Sequence, residues 1–186
     1  WMADNMVYET MAGSAAYGVS QDESDVDVYG VCIPPKTVIF PHLAGEIYGF
    51  GRQKQRFEQW QQHHVEQPAH VGNPKVYDLT IFNIVRYFSL AMECNPNVID
   101  TLFTTDACVL SVTKVGHMIR DARRLFLHKG AWFKLKGYAY SQLHRMGGHV
   151  RQGKRAEDHA VHGFDVKFAY HVIRLLYEAE MILGEG

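Results

Sequence analysis

The chain has few cysteines, no long apolar run and almost no net charge. Its three cysteines, Cys32, Cys94 and Cys108, are odd in number, far apart and in no CxxC pattern. This usage argues against a disulfide framework and favours reduced, mainly structural residues of an intracellular protein. The longest apolar stretches are too short to span a bilayer, and the first residues lack the basic and apolar regions of a secretory signal. We therefore expect a cytoplasmic protein with no membrane partner.

The charges nearly cancel, because 19 Lys and Arg residues stand against 20 Asp and Glu residues, for a formal charge of -1. This balance excludes the broad basic field of a protein that coats DNA non-specifically, although it leaves a local basic patch open. Apolar residues make up 47% of the chain and charged residues 21%, which is a globular composition and argues against disorder. A length of 186 residues suits one large domain or a compact domain with a helical extension.

Strand patterns lie in the first half of the chain and helix patterns in the second. Alternating apolar residues predict strands over residues 6–11, 25–33, 47–50 and 75–79. The polar, Gln-rich residues 52–64 indicate a surface helix or an ordered loop, and residues 67–74 a loop. Thr80 is expected to cap a helix over residues 81–94, and further helices are predicted over residues 97–103, 112–128, 132–149 and 165–183. We therefore predict an α+β (mixed α/β) fold, with a sheet domain in residues 1–80 and a helical domain in residues 81–186.

Two short motifs near the start of the chain carry the strongest chemical signal. Gly13 and Ser14 stand where a strand should turn into a helix, so N–H groups, the Ser14 hydroxyl and the helix dipole would hold a phosphate there. Further along, Asp25 and Asp27 are two apart on a predicted strand, so both carboxylates project from one face. Such a pair is costly unless it is solvated or shares a hard cation such as Mg²⁺. Together the motifs predict metal-assisted nucleotidyl transfer, with two ions about 4 Å apart.

A third carboxylate normally completes such a site. Our candidate is Asp78, a polar position flanked by apolar residues in a predicted strand, and Glu46 and Glu58 are weaker alternatives. Each motif alone is common, because Asp-x-Asp pairs occur in turns and on solvated strand faces, and Gly-Ser is commoner still. Their order, spacing and strand context together favour the catalytic interpretation over the structural one.

These residues resemble the signature of the DNA polymerase beta-like nucleotidyltransferase superfamily, which is Gly-Ser, a spacer of this size and Asp-x-Asp. More narrowly, Gly-Ser-Ala-Ala-Tyr-Gly at residues 13–18 and Ser-Asp-Val-Asp-Val-Tyr-Gly at residues 24–30 resemble a predicted nucleotidyltransferase branch associated with RNA repair operons of bacteria and phages. The similarity continues through residues 95–97, 137–142 and 163–176, so it covers most of the chain.

The resemblance implies an enzyme that transfers a nucleoside monophosphate from an NTP to an acceptor hydroxyl and releases pyrophosphate, with Mg²⁺ or Mn²⁺ as cofactor. ATP is the favoured NTP, and RNA, either a tRNA or a broken 3′ end, is the favoured acceptor. Two alternatives stay open: nucleotidylation of a protein target by a toxin-like or regulatory modifier, and a non-catalytic module that binds nucleotide or nucleic acid. The expected catalytic and metal-binding residues are Asp25, Asp27 and Asp78, and the expected nucleotide-binding residues are Gly13, Ser14, Tyr17, Lys167 and Arg174.

Basic residues recur in the predicted helices of the second half. A polar stripe containing Lys167, Arg174 and Glu178 either holds NTP phosphates or is a solvated face with an Arg174–Glu178 pair, and the resemblance favours the first. Basic and aromatic residues also interleave over residues 134–145, and further basic clusters lie at residues 120–129 and 151–155. A single face shared by these clusters would favour a nucleic-acid acceptor.

Adjacent histidines and two nearby aromatic residues invite other interpretations. His63 and His64 have no Cys or His partner at a zinc-ligand spacing, so we expect histidines of a surface or cleft. Phe57 and Trp60 could stack on a nucleobase, but ordinary packing is the expected role of both rings.

Overall fold

The computed structural model describes residues 1–20, 25–45, 47, 56–67, 75–148 and 154–185. The chain forms two compact units. The first unit consists of Trp1–Ala91 and Asn97–Arg123, and the second of Met92–Pro96 and Arg124–Gly186. The division at residue 80 that the sequence suggests stays a prediction.

The first unit contains a five-stranded sheet with the strand order β3-β4-β2-β1-β5. The neighbouring strands β2 and β4 run parallel, and the other neighbouring pairs run antiparallel. The strands are β1 (Met6–Met11), β2 (Val26–Cys32), β3 (Gln59–Gln67), β4 (Lys75–Asn83) and β5 (Val109–Val112). The α-helices are α1 (Gly13–Ala16), α2 (Lys36–Ile39), α3 (Ile84–Met92), α4 (Pro96–Phe103), α5 (Lys114–Asp121), α6 (Ala131–Gly148), α7 (Lys154–His162) and α8 (Val166–Glu185).

The mixed α+β class predicted from the sequence is confirmed, because helices follow a sheet whose strands lie mainly in the first half. The strands predicted over residues 6–11 and 25–33 are confirmed as β1 and β2. The strand predicted over residues 75–79 is present, and it continues as β4 to Asn83. The strand predicted over residues 47–50 lies outside the described residues except for Ile47.

The helix or loop predicted over residues 52–64 is wrong for residues 59–64, because Gln59–Gln67 forms strand β3. Residues 56–58 are neither helix nor strand, as the loop alternative predicts, and residues 52–55 lie outside the described part of the chain. A run of Gln and His has little strand preference of its own. Pairing with β4, in which Trp60 lies opposite Ile81, satisfies the backbone groups of this edge strand, so tertiary pairing overrides local propensity. The polar side chains follow from its position at the sheet edge.

The prediction that Thr80 caps a helix is also wrong. Thr80 is buried within β4 and pairs in register with Tyr29 of β2. The helix begins later, where the Asn83 side-chain oxygen accepts a hydrogen bond of 2.6 Å from the Arg86 N–H. A short apolar run fits a buried strand as well as a helix, so its period could not fix this boundary.

The predicted helix over residues 112–128 is shorter than expected. Val109–Val112 instead forms β5, which pairs with β1, and α5 then covers only Lys114–Asp121. The Thr113 hydroxyl accepts a hydrogen bond of 3.4 Å from the Gly116 N–H and so caps α5. Gly116 lets the helix approach the sheet, because a Cβ there would lie 2.3 Å from the Val7 carbonyl oxygen. Neither β5 nor α7 was predicted.

Buried hydroxyl groups connect β1 to α3 and α4 in the core of the first unit. The Tyr8 hydroxyl donates to the Thr101 carbonyl oxygen at 2.6 Å and lies 3.1 Å from Thr104 Oγ1. Thr104 Oγ1 is also 2.8 Å from Thr10 Oγ1, and the Tyr87 hydroxyl is 2.8 Å from Thr101 Oγ1. Because these buried polar groups satisfy one another, they fix the helices on the sheet without leaving unpaired hydroxyls.

The second unit is formed mainly by α6 and α8. Buried Leu135 and Ala139 lie on α6, and buried Leu175 and Ala179 lie on α8. The helix predicted over residues 132–149 is continuous through Gly137 in the structure. Asp165 begins α8, because its carboxylate accepts hydrogen bonds from the N–H groups of the first turn.

The three cysteines, Cys32, Cys94 and Cys108, are free and buried. Burial raises the pKa of the Cys32 thiol to about 11, so this thiol is neutral and unreactive at neutral pH. Across the described ranges, no helix combines the length and the apolar character that crossing a membrane requires.

Candidate active site

The turn after β1 brings the first motif to the edge of the sheet. The Ala12 N–H donates to the Asp27 carbonyl oxygen at 2.8 Å, which ends the pairing of β1 with β2. Gly13 then takes a left-handed backbone with φ of 58°, a conformation that favours glycine. One helical turn follows in α1, and the first N–H groups of a helix have no acceptor within the helix. The predicted phosphate-binding groups at Gly13 and Ser14 are therefore placed at a strand-to-helix turn.

Asp27 lies directly against this turn. A Cβ at position 13 would lie 2.2 Å from the Asp27 Oδ2 atom. Only glycine leaves room for the carboxylate in this position, so the Gly-Ser and Asp-x-Asp motifs meet in space as well as following one another in sequence. Asp25 precedes β2, two positions before Asp27, and is exposed.

The third predicted carboxylate lies on the neighbouring strand. Asp78 of β4 is the register partner of Asp27 in the parallel pairing with β2. Register partners on adjacent parallel strands project from the same face of a sheet. Of the two weaker candidates, Glu58 lies next to the C-terminal end of β4 and pairs with Arg86 at 3.9 Å. Glu46 lies outside the described residues. The register therefore favours Asp78 over Glu58.

A bulge in β3 holds the Asp78 side chain. Gln62 pairs with Leu79 and Val65 with Tyr77, so two histidines of β3 stand opposite the single residue Asp78. His64 has a left-handed φ of 55°, and its N–H donates to Asp78 Oδ1 at 2.9 Å. His63 Nδ1 lies 3.3 Å from Asp78 Oδ2.

The electrostatics of Asp78 follow from these contacts. The hydrogen bond from the His64 backbone lowers the pKa of the Asp78 carboxyl most, desolvation opposes the shift, and the His63 side chain lowers the pKa further. The net effect holds the pKa of Asp78 below the ordinary aspartate value. The carboxylate is therefore ionised at neutral pH, as a ligand for a cation must be.

Tyr17, predicted to contact the nucleotide, forms a contact within the protein. Its hydroxyl donates to the carboxylate Oδ2 of Asp100 on α4. The residue after α1 is thereby connected to a helix of the same unit, which orients the Gly13–Ser14 turn. Asp100 was not singled out in the sequence, and no local pattern there could have revealed it, because the two residues are 83 positions apart.

The two predicted phosphate contacts of the second half lie on α8, in the second unit. Lys167 is exposed. The Arg174 side chain, only 10% exposed, forms an ion pair with Glu178. The pair of the structural alternative is therefore present, but both side chains are largely buried and do not lie on the solvated face that this alternative assumed. A role for either residue on phosphate stays a prediction.

Described residues of two other basic clusters have separate partners, whereas the side chains of residues 151–155 lie outside the described part of the structure. Arg120 donates to Asp106 at 2.9 Å and to the Thr104 carbonyl oxygen at 2.7 Å. Arg123 donates to the Arg120 carbonyl oxygen at 2.7 Å. Lys134 of α6 forms an ion pair with Glu93 at 3.1 Å. Several basic residues near position 120 and on α6 therefore support the fold locally.

The residues fit a magnesium ion in their chemistry. No group of three or more His, Cys, Asp or Glu side chains that could hold a metal is found among the described residues. The structure therefore does not bring Asp25, Asp27 and Asp78 together as a three-residue metal group. A Mg²⁺ ion would be bound here through one or two of these carboxylates, waters and substrate phosphates, as Mg²⁺ usually is. The glycine that makes room for Asp27, the ionised Asp78 and the exposed Asp25 supply such oxygens, whereas a zinc site at His63 and His64 gains no support.

A glycine turn beside carboxylates on two adjacent strands is the arrangement expected for the nucleotidyltransferase-like class that the sequence predicts. Comparison with protein families agrees, since the model of RlaP, the RNA repair pathway DNA polymerase beta family, matches residues 3–186. The chain belongs to this family, which implies a polymerase beta-like nucleotidyltransferase of an RNA repair pathway. A search of curated proteins and a search of solved structures each found no match.

Proposed function

We propose that the chain is a metal-dependent enzyme that transfers a nucleoside monophosphate from an NTP, with ATP favoured, to a hydroxyl group of RNA. The observation that carries the proposal is the register of Asp27 with Asp78 beside the Gly13 turn. Family membership supports the same class of reaction. The three free cysteines support a reducing, cytoplasmic setting.

In this proposal, the Ser14 hydroxyl and the backbone N–H groups of the turn bind phosphate oxygens of the NTP. Asp25, Asp27 and Asp78 would hold Mg²⁺, or Mn²⁺ in its place. When bound, the metal neutralises phosphate charge and lowers the pKa of the acceptor hydroxyl. A phosphate role for Lys167 or Arg174 stays a prediction, and Arg174 would first have to release Glu178.

The reaction is an in-line substitution at the α-phosphorus. The acceptor oxygen forms a bond to that phosphorus while the bond to the oxygen that bridges the α- and β-phosphates breaks. Pyrophosphate leaves with the electron pair of the broken bond. One carboxylate of the site accepts the proton of the acceptor hydroxyl, so that atoms and charges balance.

The test is an incubation of the full chain with Mg²⁺, each α-³²P-labelled NTP in turn and total cellular RNA. The Asp25→Asn Asp27→Asn double variant is run beside the wild type. Asp121→Asn, which changes an exposed aspartate on α5, is the matched control. We expect label in RNA with the wild type and the control and none with the double variant, and circular dichroism should show all three proteins folded.

Other outcomes separate the alternatives. Label that enters protein and not RNA would replace the RNA acceptor with a protein acceptor. NTP binding without label in any product would favour a non-catalytic module. Full label in RNA with the double variant would contradict the proposed site, because an amide cannot replace a carboxylate as a hard-cation ligand without loss.

A further inference from the structure

One exposed face of α6 combines aromatic rings with a lysine between them. Trp132, Lys136 and Tyr140 are spaced at i, i+4 and i+8, so they follow one another along the same side of the helix. Lys136 Nζ lies 5.6 Å from the Trp132 ring centroid and 5.8 Å from the Tyr140 ring centroid. Trp132 is 37% exposed and Tyr140 is 62% exposed. We call these three residues the α6 aromatic face.

The buried side of the helix does not account for this face. Among the described side chains of α6, the buried ones are those of Ala131, Leu135, Ala139 and Gln142. The α6 aromatic face lies on a different side of the helix and is joined there by Phe133, which is 76% exposed. Exposed rings in such a group mark a binding surface more often than a solvated face.

All charged residues of α6 are basic. Its sequence AWFKLKGYAYSQLHRMGG contains no Asp or Glu. The structure also separates two lysines that look equivalent in the sequence: Lys134 pairs with Glu93, whereas Lys136 lies over the two rings. The α6 aromatic face therefore presents a cation that the helix itself does not neutralise, and such a surface is complementary to a polyanion.

The lysine and the rings of the α6 aromatic face favour a nucleic-acid partner over a protein partner. Lysine is depleted in the cores of protein–protein interfaces, where its desolvation is costly. A single-stranded nucleic acid uses both features, because its bases stack on aromatic rings and its phosphates pair with cations. The helix rise places Trp132 and Tyr140 about 12 Å apart along the axis, with Lys136 midway.

We propose that the α6 aromatic face binds a single-stranded nucleic acid, whose bases stack on Trp132 and Tyr140 while Lys136 contacts a phosphate between them. The inference deepens the proposed function by giving the acceptor strand a binding surface, and it rests on that function for the expectation that the strand is RNA. The arrangement of side chains within the second unit supports it without reference to the candidate active site.

The test measures binding of the full chain, without NTP or Mg²⁺, to fluorescently labelled 12-nucleotide RNA and DNA strands and to duplex RNA. Trp132→Leu and Tyr140→Leu should each weaken single-strand binding by about fivefold or more, because each removes one stacking ring. Tyr177→Leu is the matched control, since Tyr177 on α8 is 63% exposed and should not contact the strand. Unchanged circular dichroism spectra and unfolding midpoints would show that the variants are folded.

The salt dependence of strand binding tests whether Lys136 contacts a phosphate. Lys136→Gln should make the negative slope of log K against log salt concentration shallower by about 0.7, as expected when one phosphate contact on a single strand is lost. Lys134→Gln makes the same change in a residue that pairs with Glu93, and it should leave the slope unchanged. Lys136→Arg should keep the wild-type slope, because arginine keeps the charge and also stacks on rings.

Three results would overturn the inference. The first is wild-type affinity in the Trp132 and Tyr140 variants, and the second is an equal loss in the Tyr177 and Lys134 controls. The third is a preference for duplex RNA, which offers no free bases to stack. Binding to either single strand supports the inference, with RNA expected to be tighter. Strand binding is measured without NTP or Mg²⁺ and transfer is measured with both, so failure of transfer and failure of strand binding are separately visible.

Discussion

The carboxylate of Asp27 occupies space that any side chain at position 13 would need, because a Cβ on Gly13 would lie 2.2 Å from Asp27 Oδ2. The two motifs are thus coupled sterically: the glycine of the first motif makes room for the second aspartate of the next. We therefore expect Gly13→Ala to displace Asp27, in addition to straining a backbone whose φ is 58°.

The expected result for Gly13→Ala is a loss of transfer of about 100-fold, which is typical of a reacting group displaced by about 1 Å. Strain of about 1–3 kcal/mol should also appear in the free energy of unfolding. Gly18→Ala is the matched control, because Gly18 has a φ of 70° and, apart from its chain neighbours, none of the described residues comes within 4 Å of a Cβ there. Denaturant unfolding and transfer assays check this prediction, and equal transfer in the two variants would show that the contact with Asp27 does not matter.

Asp78 should make the free energy of unfolding depend on pH in the acidic range. Its pKa in the folded state lies below the ordinary value, mainly because of the His64 backbone N–H, so ionised Asp78 stabilises the fold above about pH 3.9. This contribution is lost as the pH falls through the folded-state pKa. We expect Asp78→Asn to be less stable than the wild type at neutral pH and the difference to shrink below about pH 3.9. Urea unfolding at several pH values measures it, and a constant difference would contradict the assignment.

Three variants at the two histidines separate the causes of that pKa shift. His63→Leu removes the side-chain partner of Asp78 and should raise the Asp78 pKa toward the ordinary value, whereas His63→Asn keeps an N–H donor and should raise it less. His64→Gly keeps the backbone N–H and accepts the left-handed φ of 55°, so it should preserve the largest cause of the shift. Titration of the Asp78 carboxyl carbon by NMR gives all three values. A larger rise in His64→Gly than in His63→Leu would be the contrary result.

The sequence predicts much of this site because its motifs are local. Gly13 and Ser14, and then Asp25 and Asp27, are recognisable from residue type and spacing alone, and β1 and β2 follow from alternation. The choice of Asp78 needed only a strand with one polar position. Its register with Asp27 is a non-local fact, however, and no spacing along the chain determines it.

Other features depend on contacts that no local pattern contains. The Gln- and His-rich segment becomes strand β3 because β4 pairs with it, and the bulge at His63 and His64 exists only within that pairing. The four-residue β5 is too short for its period to identify it. Lys134 and Lys136 look alike in sequence, and only the structure assigns one to Glu93 and the other to the aromatic rings.

The Tyr17 hydroxyl donates to the part-buried Asp100 carboxylate, so Tyr17→Phe should cost about 1.5–3 kcal/mol of unfolding free energy, as hydrogen bonds to charged groups do. A double-mutant cycle with Asp100→Asn isolates the energy of this pair. Because both changes remove the same hydrogen bond, we expect the double variant to be little less stable than either single variant. If Tyr17 only orients the turn, the KM for NTP should rise in both single variants alike. A rise in Tyr17→Phe alone would instead mean that the hydroxyl contacts the nucleotide itself, which the sequence prediction favoured.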